Sequence, residues 1–533
     1  MPSARAKPGR SPVCATMRSG LSDWAVLATI LVLAFVLRLV FFTGLTGSDD
    51  TVYVLRGLET ASGLWRPTQN VGQLRYGVNL PIAAFVAAFG VNLVSVHAWS
   101  MLCSLSEIAL VFLLGLRMWG LRAAGLAALV MAVTPLHVHA GGRALADAPL
   151  AMFITLAFVA FYFAERGRVL LYGVAGLAIG FAWWIKPPAI IFAAAFLLYA
   201  ALTRRWRRQW GWVALGAAAA IALEWAMFGI KFGDPLYAVH ASLNAISTEF
   251  VQTDAPWGVH AAFYYFRQMF LDGRDMALAP AFALLAVIAL VRGKSARNLA
   301  GAGYVLLWCL SLLALFSFAP YSFSPFKLIP KQGNYALMFF APIALLAGFG
   351  LSLLRVTVLR WVAVVAVTVL GITLAALPQY QARIRQASLR PAMTYALAHQ
   401  DLLVYLPNLA VNLMRAERLL QGETDLPLNV RELSDVLAPN ASRGSLATPL
   451  VLFRHPLWPE YANGADARLL LQRRLPCLHK VERLSVHADA PGRYVVNTLV
   501  ELREILPSVL ARQLGFTDEF INVSPVEVYR CGA

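Results

Sequence analysis

The sequence is poor in charged residues: Asp, Glu, Lys and Arg make up 14% of its 533 residues. Soluble globular domains carry about 25% charged and about 45–50% apolar residues, whereas this chain is 59% hydrophobic. A single water-exposed domain has no core large enough for such an excess. The composition therefore excludes an ordinary soluble enzyme and predicts a protein that crosses a membrane several times.

Acidic residues are scarcer than basic ones, with 28 Asp and Glu against 45 Lys and Arg and a net charge of +17. In a soluble protein this balance would suggest nucleic acid as the partner. Here the arginines lie mainly between hydrophobic segments, which is the pattern of the positive-inside rule. We therefore expect membrane lipids as partners, and no nucleic acid.

Several motifs of soluble chemistry are missing. The five cysteines show no metal-ligand spacing. No P-loop, dinucleotide fingerprint, His-Glu-x-x-His or Gly-x-Ser-x-Gly occurs. The lack of a nucleotide-phosphate loop disfavours an enzyme that uses ATP or a cytosolic nucleotide sugar, and it is compatible with a donor that arrives through the bilayer.

Long apolar runs are abundant, and about 20 apolar residues suffice for one helical span. The first run, 24–45, follows a basic segment as in a signal peptide, but it is too long and no small-residue cleavage site follows. The moderately apolar segment 79–93 is predicted to be an interfacial helix. Eleven spans are predicted, at 24–45, 94–116, 123–138, 149–164, 169–183, 189–202, 212–230, 276–291, 299–318, 335–354 and 356–377.

The distribution of basic residues orients these spans. With the N-terminus in the cytoplasm, every loop on that side is basic. The sequence therefore predicts a cytoplasmic basic segment 1–20, a transmembrane domain 21–377 with an outer loop 46–93, and a small α/β extracytoplasmic domain 378–533. Within the last, 449–453 and 493–496 are predicted strands and 465–474 a helix.

An acidic pair, Asp49-Asp50, stands just past the first span, and Tyr53 follows it. Two adjacent carboxylates at a membrane surface are electrostatically unfavourable unless a cation, a metal or a shared proton relieves them. One carboxylate there could act as general base on a hydroxyl. The alternative is that Ser48 or Asp49 caps a helix that begins near Thr51.

Cations also lie on the outer side, where the topology rule does not require them. Lys186 stands before two prolines at the end of a span, and a lysine there suits a lipid phosphate; the alternative is a lysine whose amine merely reaches the interface. Arg143 and Asp147 are either a helical ion pair or site residues. The ionisable residues Arg38 and Glu224 fall in the outer part of predicted spans, where charges are candidate site residues, and Glu107 lies deeper in the second span without an assigned role. The outer cations are Arg75, Arg143, Lys186, Lys231, Arg267, Arg274, Lys327 and Lys331.

The order of these features resembles the C-type glycosyltransferase superfamily, and within it the protein O-mannosyltransferase and aminoarabinose (lipid A) transferase group. Members have an acidic pair followed by Tyr in the first outer loop. The stretch 180–188, Gly-Phe-Ala-Trp-Trp-Ile-Lys-Pro-Pro, is similar to the group's Gly-Leu-Ala-x-Leu-Thr-Lys-Gly-Pro segment. The segments 122–129, 134–137 and 143–150 follow the group's third and fourth spans in order and spacing. The resemblance covers about 24–355.

The resemblance implies an inverting sugar transfer from a polyprenyl-phosphate donor on the outer face of a bacterial inner membrane. Asp49 would be the general base, with Asp50 or Asp147 orienting the acceptor or a metal. Tyr53, Arg75, Arg143, Lys186, Lys327 and Lys331 would bind substrate, and we expect Lys186 and Lys327 or Lys331 to reach one phosphate near Asp49. A divalent metal assists some members; no other cofactor is expected.

Two departures leave the acceptor open. The group often has Lys-Pro-Pro before the interfacial helix, where this chain has Arg75. The region beyond 378 matches no known pattern, so the acceptor is a lipid, a glycan or a protein. The rival hypotheses are a multi-span transporter or flippase and a membrane scaffold. A transporter would place its charges near the bilayer midplane, and a scaffold gives no reason for the acidic pair beside cations.

Overall fold

The computed structural model describes most of the chain as helices. The described residues are 21–68, 70–204, 206–245, 259–292, 296–323, 326–329, 331–423, 426–433, 450–454, 479–486, 501, 504–505, 508 and 526–531. The α-helices are α1 Leu21–Val40, α2 Asp49–Ala61, α3 Tyr76–Phe89, α4 Leu93–Trp119, α5 Leu121–Val133, α6 Pro135–Gly141, α7 Asp147–Ala164, α8 Leu170–Ile185, α9 Ala194–Thr203, α10 Gly211–Phe232, α11 Tyr237–Ala245, α12 Tyr264–Arg267, α13 Ala279–Val291, α14 Ala296–Phe318, α15 Phe340–Ser352, α16 Thr357–Ala398 and α17 Asn408–Leu420.

The predicted polytopic helical architecture is confirmed. Helical structure occupies most of each of the eleven predicted spans, because each is a mainly apolar run. By length and composition, seven helical segments in the described part of the chain could cross a membrane, or eight if the bent pair α5 and α6 counts as one span. Others are short: the 16 residues of α8 extend about 24 Å, less than the roughly 30 Å of a hydrocarbon core. The count of eleven stays a prediction.

The bend between α5 and α6 is sharp, at 66°. Pro135 at the start of α6 has no N–H to continue the ladder of α5, and Thr134 before it adopts an extended conformation. The bend turns the short helix α6 away from α5, and α6 carries His137 and His139 toward the site described below.

Close helix contacts fix the position of Lys186. A Cβ on Gly176 of α8 would lie 2.1 Å from the carbonyl oxygen of Val213 on α10, so only glycine permits this approach. α8 then ends at Ile185, and the 3₁₀-helix Pro187–Ala193 follows. Lys186 is held at the junction.

The predicted outer loop 46–93 is itself helical. It contains α2, the 3₁₀-helix Val71–Leu74 and α3, which corresponds to the predicted interfacial helix. The chain between α14 and α15 forms a hairpin of β1 Pro320–Phe323 and β2 Phe326–Leu328. The 3₁₀-helix Gly333–Phe339 then leads into α15.

The C-terminal region contains a mixed sheet in the order β4-β3-β5-β7-β6. β3 pairs in parallel with β4 and β5, while β7 is antiparallel to β5 and β6. The predicted strand 449–453 corresponds to β5; the predictions at 465–474 and 493–496 fall outside the described residues. The strands are β3 Leu403–Leu406, β4 Val430–Glu432, β5 Leu450–Arg454, β6 His479–Leu484 and β7 Val526–Cys531.

The boundary predicted after residue 377 falls inside a helix. α16 is 42 residues long and continues to Ala398, although Pro378 and Pro391 fall within it and an interior proline removes a backbone hydrogen bond. The location of the C-terminal region outside the cytoplasm stays a prediction.

Candidate active site

Asp50 is fully buried at the start of α2, and both of its carboxylate oxygens are occupied. Oδ2 accepts hydrogen bonds from the Thr46 amide (2.8 Å), the Thr46 hydroxyl (2.9 Å) and Arg143 Nη2 (3.2 Å). Oδ1 accepts from the amides of Ser48 (3.0 Å) and Thr51 (2.9 Å). Burial raises the pKa of this carboxyl, but Arg143 and Thr46 outweigh burial, and the pKa of Asp50 lies below its ordinary value. Asp50 is therefore an ionised anchor for the loop.

Asp49 differs from Asp50 because it is exposed. Ser48 occupies the N-cap position of α2, but its side chain makes no capping hydrogen bond, and the Thr51 amide donates to Asp50 instead. Capping by the Ser48 side chain is therefore not observed, and Asp49 is the first residue of the helix. Gly47, at φ +78°, brings the loop so close to α16 and α17 that a Cβ would lie 2.9 Å from Leu389 and 3.0 Å from the Leu409 carbonyl oxygen.

Tyr53 lies one turn after Asp49 and is buried. Arg75 Nη1 donates a hydrogen bond to its hydroxyl oxygen, and burial raises the pKa of Tyr53 above its ordinary value. Burial disfavours the charged guanidinium of Arg75, but Tyr53, Asp49 and Asp147 all favour it, so the pKa of Arg75 is raised. These electrostatic contacts place Asp49, Tyr53, Arg75 and Asp147 in one cluster.

Asp147 and Lys186 form the second half of this cluster. Lys186 Nζ lies 2.9 Å from Asp147 Oδ1, and Asn334 Nδ2 donates to Asp147 Oδ2 at 3.0 Å. The Lys186 ammonium also lies 4.7 Å from the centre of the Tyr335 ring. Arg75, Lys186 and Asn334 belong to segments far apart in sequence, so the fold, and no local motif, assembles this pocket of charges.

Arg143 bridges α6 to the loop before α2. Its Nη2 donates to the Thr46 hydroxyl and to Asp50, and its Nη1 donates to His139 Nε2 at 3.2 Å. The helical ion pair between Arg143 and Asp147 that the spacing allowed is not the pairing in the structure, since each binds a partner from another element.

Lys331 contacts the end of α14. Its ammonium donates to the carbonyl oxygens of Phe316 and Ser317, the latter at 3.0 Å, and burial lowers the pKa of Lys331 to about 8. Lys327 lies on β2 and is partly exposed. That Lys327 or Lys331 shares one phosphate with Lys186 stays a prediction.

Sequence reasoning did not assign Thr46 and Asn334 to the site. Thr46 supplies two of the hydrogen bonds to Asp50, and Asn334 orients Asp147. Thr46 carried no signal, because a threonine beside a span is common. Asn334 stands directly before the predicted span 335–354, but its role depends on a contact with Asp147 that the sequence does not show.

A separate polar network lies inside the helical bundle. Arg38 on α1 donates to Ser104 Oγ (2.9 Å) and to His137 Nδ1 (2.6 Å). His137 Nε2 in turn lies 3.1 Å from Glu107 Oε2, and Thr155 donates to Glu107 Oε1 at 2.9 Å. His137 thus binds the core of the bundle while His139 contacts Arg143, and the two histidines serve opposite sides of α6.

The side chains at the site bear on whether a divalent metal ion could bind there. Across the part of the chain that the structure describes, no group of three or more His, Cys, Asp and Glu side chains is arranged to hold a metal ion. Asp50 and Asp147, the carboxylates predicted to orient a metal, instead bind Arg143 and Lys186. These residues do not fit a metal site, and the charges that a metal would balance are balanced by cationic side chains.

Comparison with known proteins shows which families and structures this chain is similar to. Residues 77–228 match the profile of the family described as dolichyl-phosphate-mannose-protein mannosyltransferase. No curated protein matches the chain significantly. The fold is similar to that of ArnT from Cupriavidus metallidurans in the apo state, with 15% identity, a TM-score of 0.56, and coverage of 88% of this chain and 97% of ArnT.

Two further structures have the same overall fold. ArnT from Cupriavidus metallidurans bound to undecaprenyl phosphate gives 16% identity, a TM-score of 0.56, and the same coverage of 88% and 97%. The Archaeoglobus fulgidus oligosaccharyltransferase in complex with Zn and sulfate gives 14% identity and a TM-score of 0.52, covering 95% of this chain and 88% of that one.

The chain therefore has the fold of the C-type glycosyltransferase superfamily, as the acidic pair Asp49-Asp50 and the stretch 180–188 predicted. The predicted likeness to the mannosyltransferase and ArnT group is confirmed by the family profile and the similar structures. Glycosyl transfer from a lipid-linked donor, the predicted enzyme class, is the chemistry of this group.

Proposed function

We propose that this chain is an integral-membrane glycosyltransferase that moves a sugar from a polyprenyl-phosphate donor to a lipid, glycan or protein acceptor on the outer face of the membrane. The observation that carries the proposal is the contrast between two neighbouring carboxylates: Asp50 is buried and saturated, whereas Asp49 is exposed and interacts with the cation Arg75. The ArnT structure with undecaprenyl phosphate supports a polyprenyl phosphate as the carrier.

The reaction is a single displacement with inversion. The acceptor oxygen or nitrogen attacks the anomeric carbon, and Asp49 takes its proton as the new bond forms. The bond between the anomeric carbon and the phosphate oxygen breaks, and its electron pair stays on the phosphate. Arg75 and Lys186 stabilise this growing negative charge.

The remaining residues hold these groups in position. Asp50 fixes the loop that carries Asp49, and Arg143 fixes Asp50. Asp147 and Asn334 orient Lys186, and Tyr53 orients Arg75. The Nε atom of Arg75 is buried and has no hydrogen-bond partner among the described residues, so the guanidinium retains a donor for a phosphate oxygen.

The transporter hypothesis is not favoured. A transporter places its substrate site near the bilayer midplane between symmetric repeats, whereas this cluster lies at helix ends and in the loops between them. Eleven spans with a cytoplasmic N-terminus are part of the proposal, because this topology puts Asp49 outside.

The test is an assay of donor consumption. The full-length protein, purified in lipid nanodiscs, is incubated with radiolabelled polyprenyl-phosphate hexoses and pentoses, and the release of polyprenyl phosphate is measured with and without membrane extract as a source of acceptor. We expect one donor to be consumed, faster with extract. Failure to consume any of these donors under both conditions would refute the proposal.

A further inference from the structure

Gln268 lies outside the cation cluster, in the segment between α11 and α13. It begins a π-helical turn, Gln268–Asp272, that directly follows α12. A π turn is rare in proteins and frequently lies at functional sites. Gln268 is only 3% exposed, so its polar amide lies inside the protein, where buried polar groups need hydrogen-bond partners.

Both hydrogens of the Gln268 amide are donated. Nε2 donates to Asp275 Oδ2 at 2.7 Å and to the carbonyl oxygen of Gly333 at 2.9 Å. Because a carboxylate and a carbonyl oxygen only accept, the NH₂ group must face them, and the orientation of the amide is fixed. The Oε1 atom is buried without a hydrogen-bond partner among the described residues. A buried oxygen of this kind is unfavourable, so a glutamine is a poor choice for packing alone.

Gly333 begins the segment that contacts the second half of the cation cluster. The next residue, Asn334, donates to Asp147, and the centre of the Tyr335 ring lies 4.7 Å from the ammonium of Lys186. Asp147 divides its two oxygens between Asn334 and Lys186. A shift of the Gly333 peptide would therefore move both residues that contact the Asp147–Lys186 pair.

Asp275, the other partner of Gln268, is fixed to the helical bundle. Its carbonyl oxygen accepts a hydrogen bond from the Leu136 amide near the start of α6, at 3.0 Å. Lys331, two residues before Gly333, is fixed separately to the end of α14. The amide of Gln268 thus connects the Gly333 peptide to a point that α6 holds in place, and removing the amide breaks this connection.

We propose that Gln268 is a positioning residue for the cation that stabilises the leaving phosphate. It holds the Gly333 peptide, and through Asn334 and Tyr335 it keeps the Lys186 ammonium directed at the phosphate oxygen that gains charge as the sugar leaves. The inference rests on the proposed function, in which Lys186 stabilises that charge. Gln268 acts through these residues and contacts no reacting atom.

The first measurement follows Lys186 in the absence of any donor. The full-length protein in lipid nanodiscs is treated with an amine-reactive acetylating reagent, and mass spectrometry gives the rate at which Lys186 is modified. Gln268→Met keeps the size of the side chain but cannot donate a hydrogen bond. We expect Lys186 to be modified about tenfold faster in this variant, because one lost hydrogen bond is worth about a factor of ten. The exposed Lys231 should be modified at the same rate in both proteins.

The second measurement is turnover of the donor that the wild type consumes. Gln268→Met should lower kcat by about tenfold to a hundredfold, since a misplacement of about 1 Å can cost about 10²-fold. KM for the donor should change much less, because the charge that Lys186 stabilises grows in the transition state. In a Lys186→Gln background, Gln268→Met should have little further effect on kcat. An equal fall in both backgrounds would show a purely structural role and overturn the proposal.

Matched variants separate the hydrogen bond from packing. Met269→Leu conserves the volume of the next buried side chain in the same turn and should behave like the wild type in both measurements. Asp275→Asn keeps an oxygen that accepts from Gln268 and should retain the wild-type rates, whereas Asp275→Leu should reproduce the effect of Gln268→Met. This pair also provides the test if Gln268→Met does not fold. Identical behaviour of the two Asp275 variants would contradict the proposal.

The positioning role and the proposed function fail in different ways. Unchanged modification of Lys186 in both Gln268→Met and Asp275→Leu overturns the positioning role, while donor consumption by the wild type leaves the glycosyltransferase proposal intact. Faster modification of Lys186 in a protein that consumes no donor refutes the proposed function and leaves the link between Gln268 and Lys186 intact.

Discussion

Asp49 and Asp50 are adjacent in sequence, yet their side chains have different surroundings. Asp50 accepts hydrogen bonds on both oxygens and is buried against Arg143, whereas Asp49 is exposed and interacts with Arg75. A carboxylate that already binds donors on both oxygens is poorly placed to take a proton from a substrate. The proposed general-base role therefore suits Asp49, and the anchoring role suits Asp50.

Asp49→Asn should leave the protein folded and lower sugar transfer by about 10²–10⁴-fold, because a general base typically contributes that much to the rate. The amide keeps the size of the side chain and removes its basicity. Transfer rates of wild type and variant are compared with one donor and one acceptor. A variant with full activity would remove the catalytic assignment of Asp49.

Asp50→Asn should act on stability first. It leaves the buried Arg143 without its counter-charge, which costs roughly 3–5 kcal/mol. Thermal unfolding in nanodiscs measures the loss, with the exposed Asp49→Asn as the control that should stay near wild type. Equal melting temperatures for both variants would contradict the anchoring role.

The contribution of Asp50 to the stability of the folded protein changes with pH in a defined direction. Because the pKa of Asp50 is lower in the folded protein, its stabilisation is complete above the unfolded value of about 3.9 and is lost as the pH falls through the folded value. The wild type should therefore lose part of its stability in this acid range. The Asp50→Asn variant should not show this pH-dependent loss.

The sequence predicted these residues unevenly, for physical reasons. Lys186 and Arg75 could be found because a cation on the outer side of a span stands out against the topology rule. The resemblance made Asp49 the base and gave Asp50 the acceptor or a metal, but the burial that makes Asp50 an anchor could not be predicted, since two identical side chains differ only through their surroundings. Asn334 was out of reach because its role depends on a contact with Asp147, 187 residues away.

Among the elements, α6 connects the core of the bundle to the site. His137 contacts Arg38 and Glu107 inside the bundle, while His139, half a turn on, contacts Arg143. The apolar run 123–138 predicted a helix here, but it did not show the 66° bend. Pro135 alone does not determine a bend, because proline is also common at the first position of a helix.

Glu107→Gln should destabilise the bundle by about 3 kcal/mol or more, because it removes the carboxylate whose charge, across His137, balances the buried guanidinium of Arg38. Arg38→Met combined with Glu107→Gln should cost less than the sum of the single changes. Glu224→Gln is the matched control: Glu224 is buried on α10, and its Oε2 accepts a hydrogen bond from Trp183 that an amide oxygen can also accept. Additive effects at Arg38 and Glu107 would contradict the coupling, and thermal unfolding provides the measurement.

At the scale of the whole molecule, the apolar runs predicted where the helices lie, because a segment in lipid must satisfy its backbone hydrogen bonds internally. The C-terminal sheet was harder to predict. Its strands are short and β3 pairs with strands distant in sequence, so β5 was found while β3, β4, β6 and β7 were not assigned. Soluble strands of three to six residues carry a much weaker pattern than a span.

The topology predicts opposite locations for two points of the chain. Reporter fusions after Thr203 and at Ala533 should report the cytoplasm and the outer side, respectively, because the loop after Thr203 is rich in arginine. A fusion after Ala164 serves as a second cytoplasmic reference. Reports from the same side for Thr203 and Ala533 would overturn the proposed orientation.

The unbroken course of α16 makes its length a constraint on the whole protein. Gly371 holds this helix against α5, where a Cβ would lie 2.7 Å from the carbonyl oxygen of Val133. A single residue inserted between Gly371 and Arg383 would rotate everything beyond it by about 100° and advance it by about 1.5 Å. Such an insertion would turn Leu389 away from Gly47, against which it packs. Relatives that share this arrangement should therefore vary in length within their loops, and keep the number of residues in this segment of the helix constant.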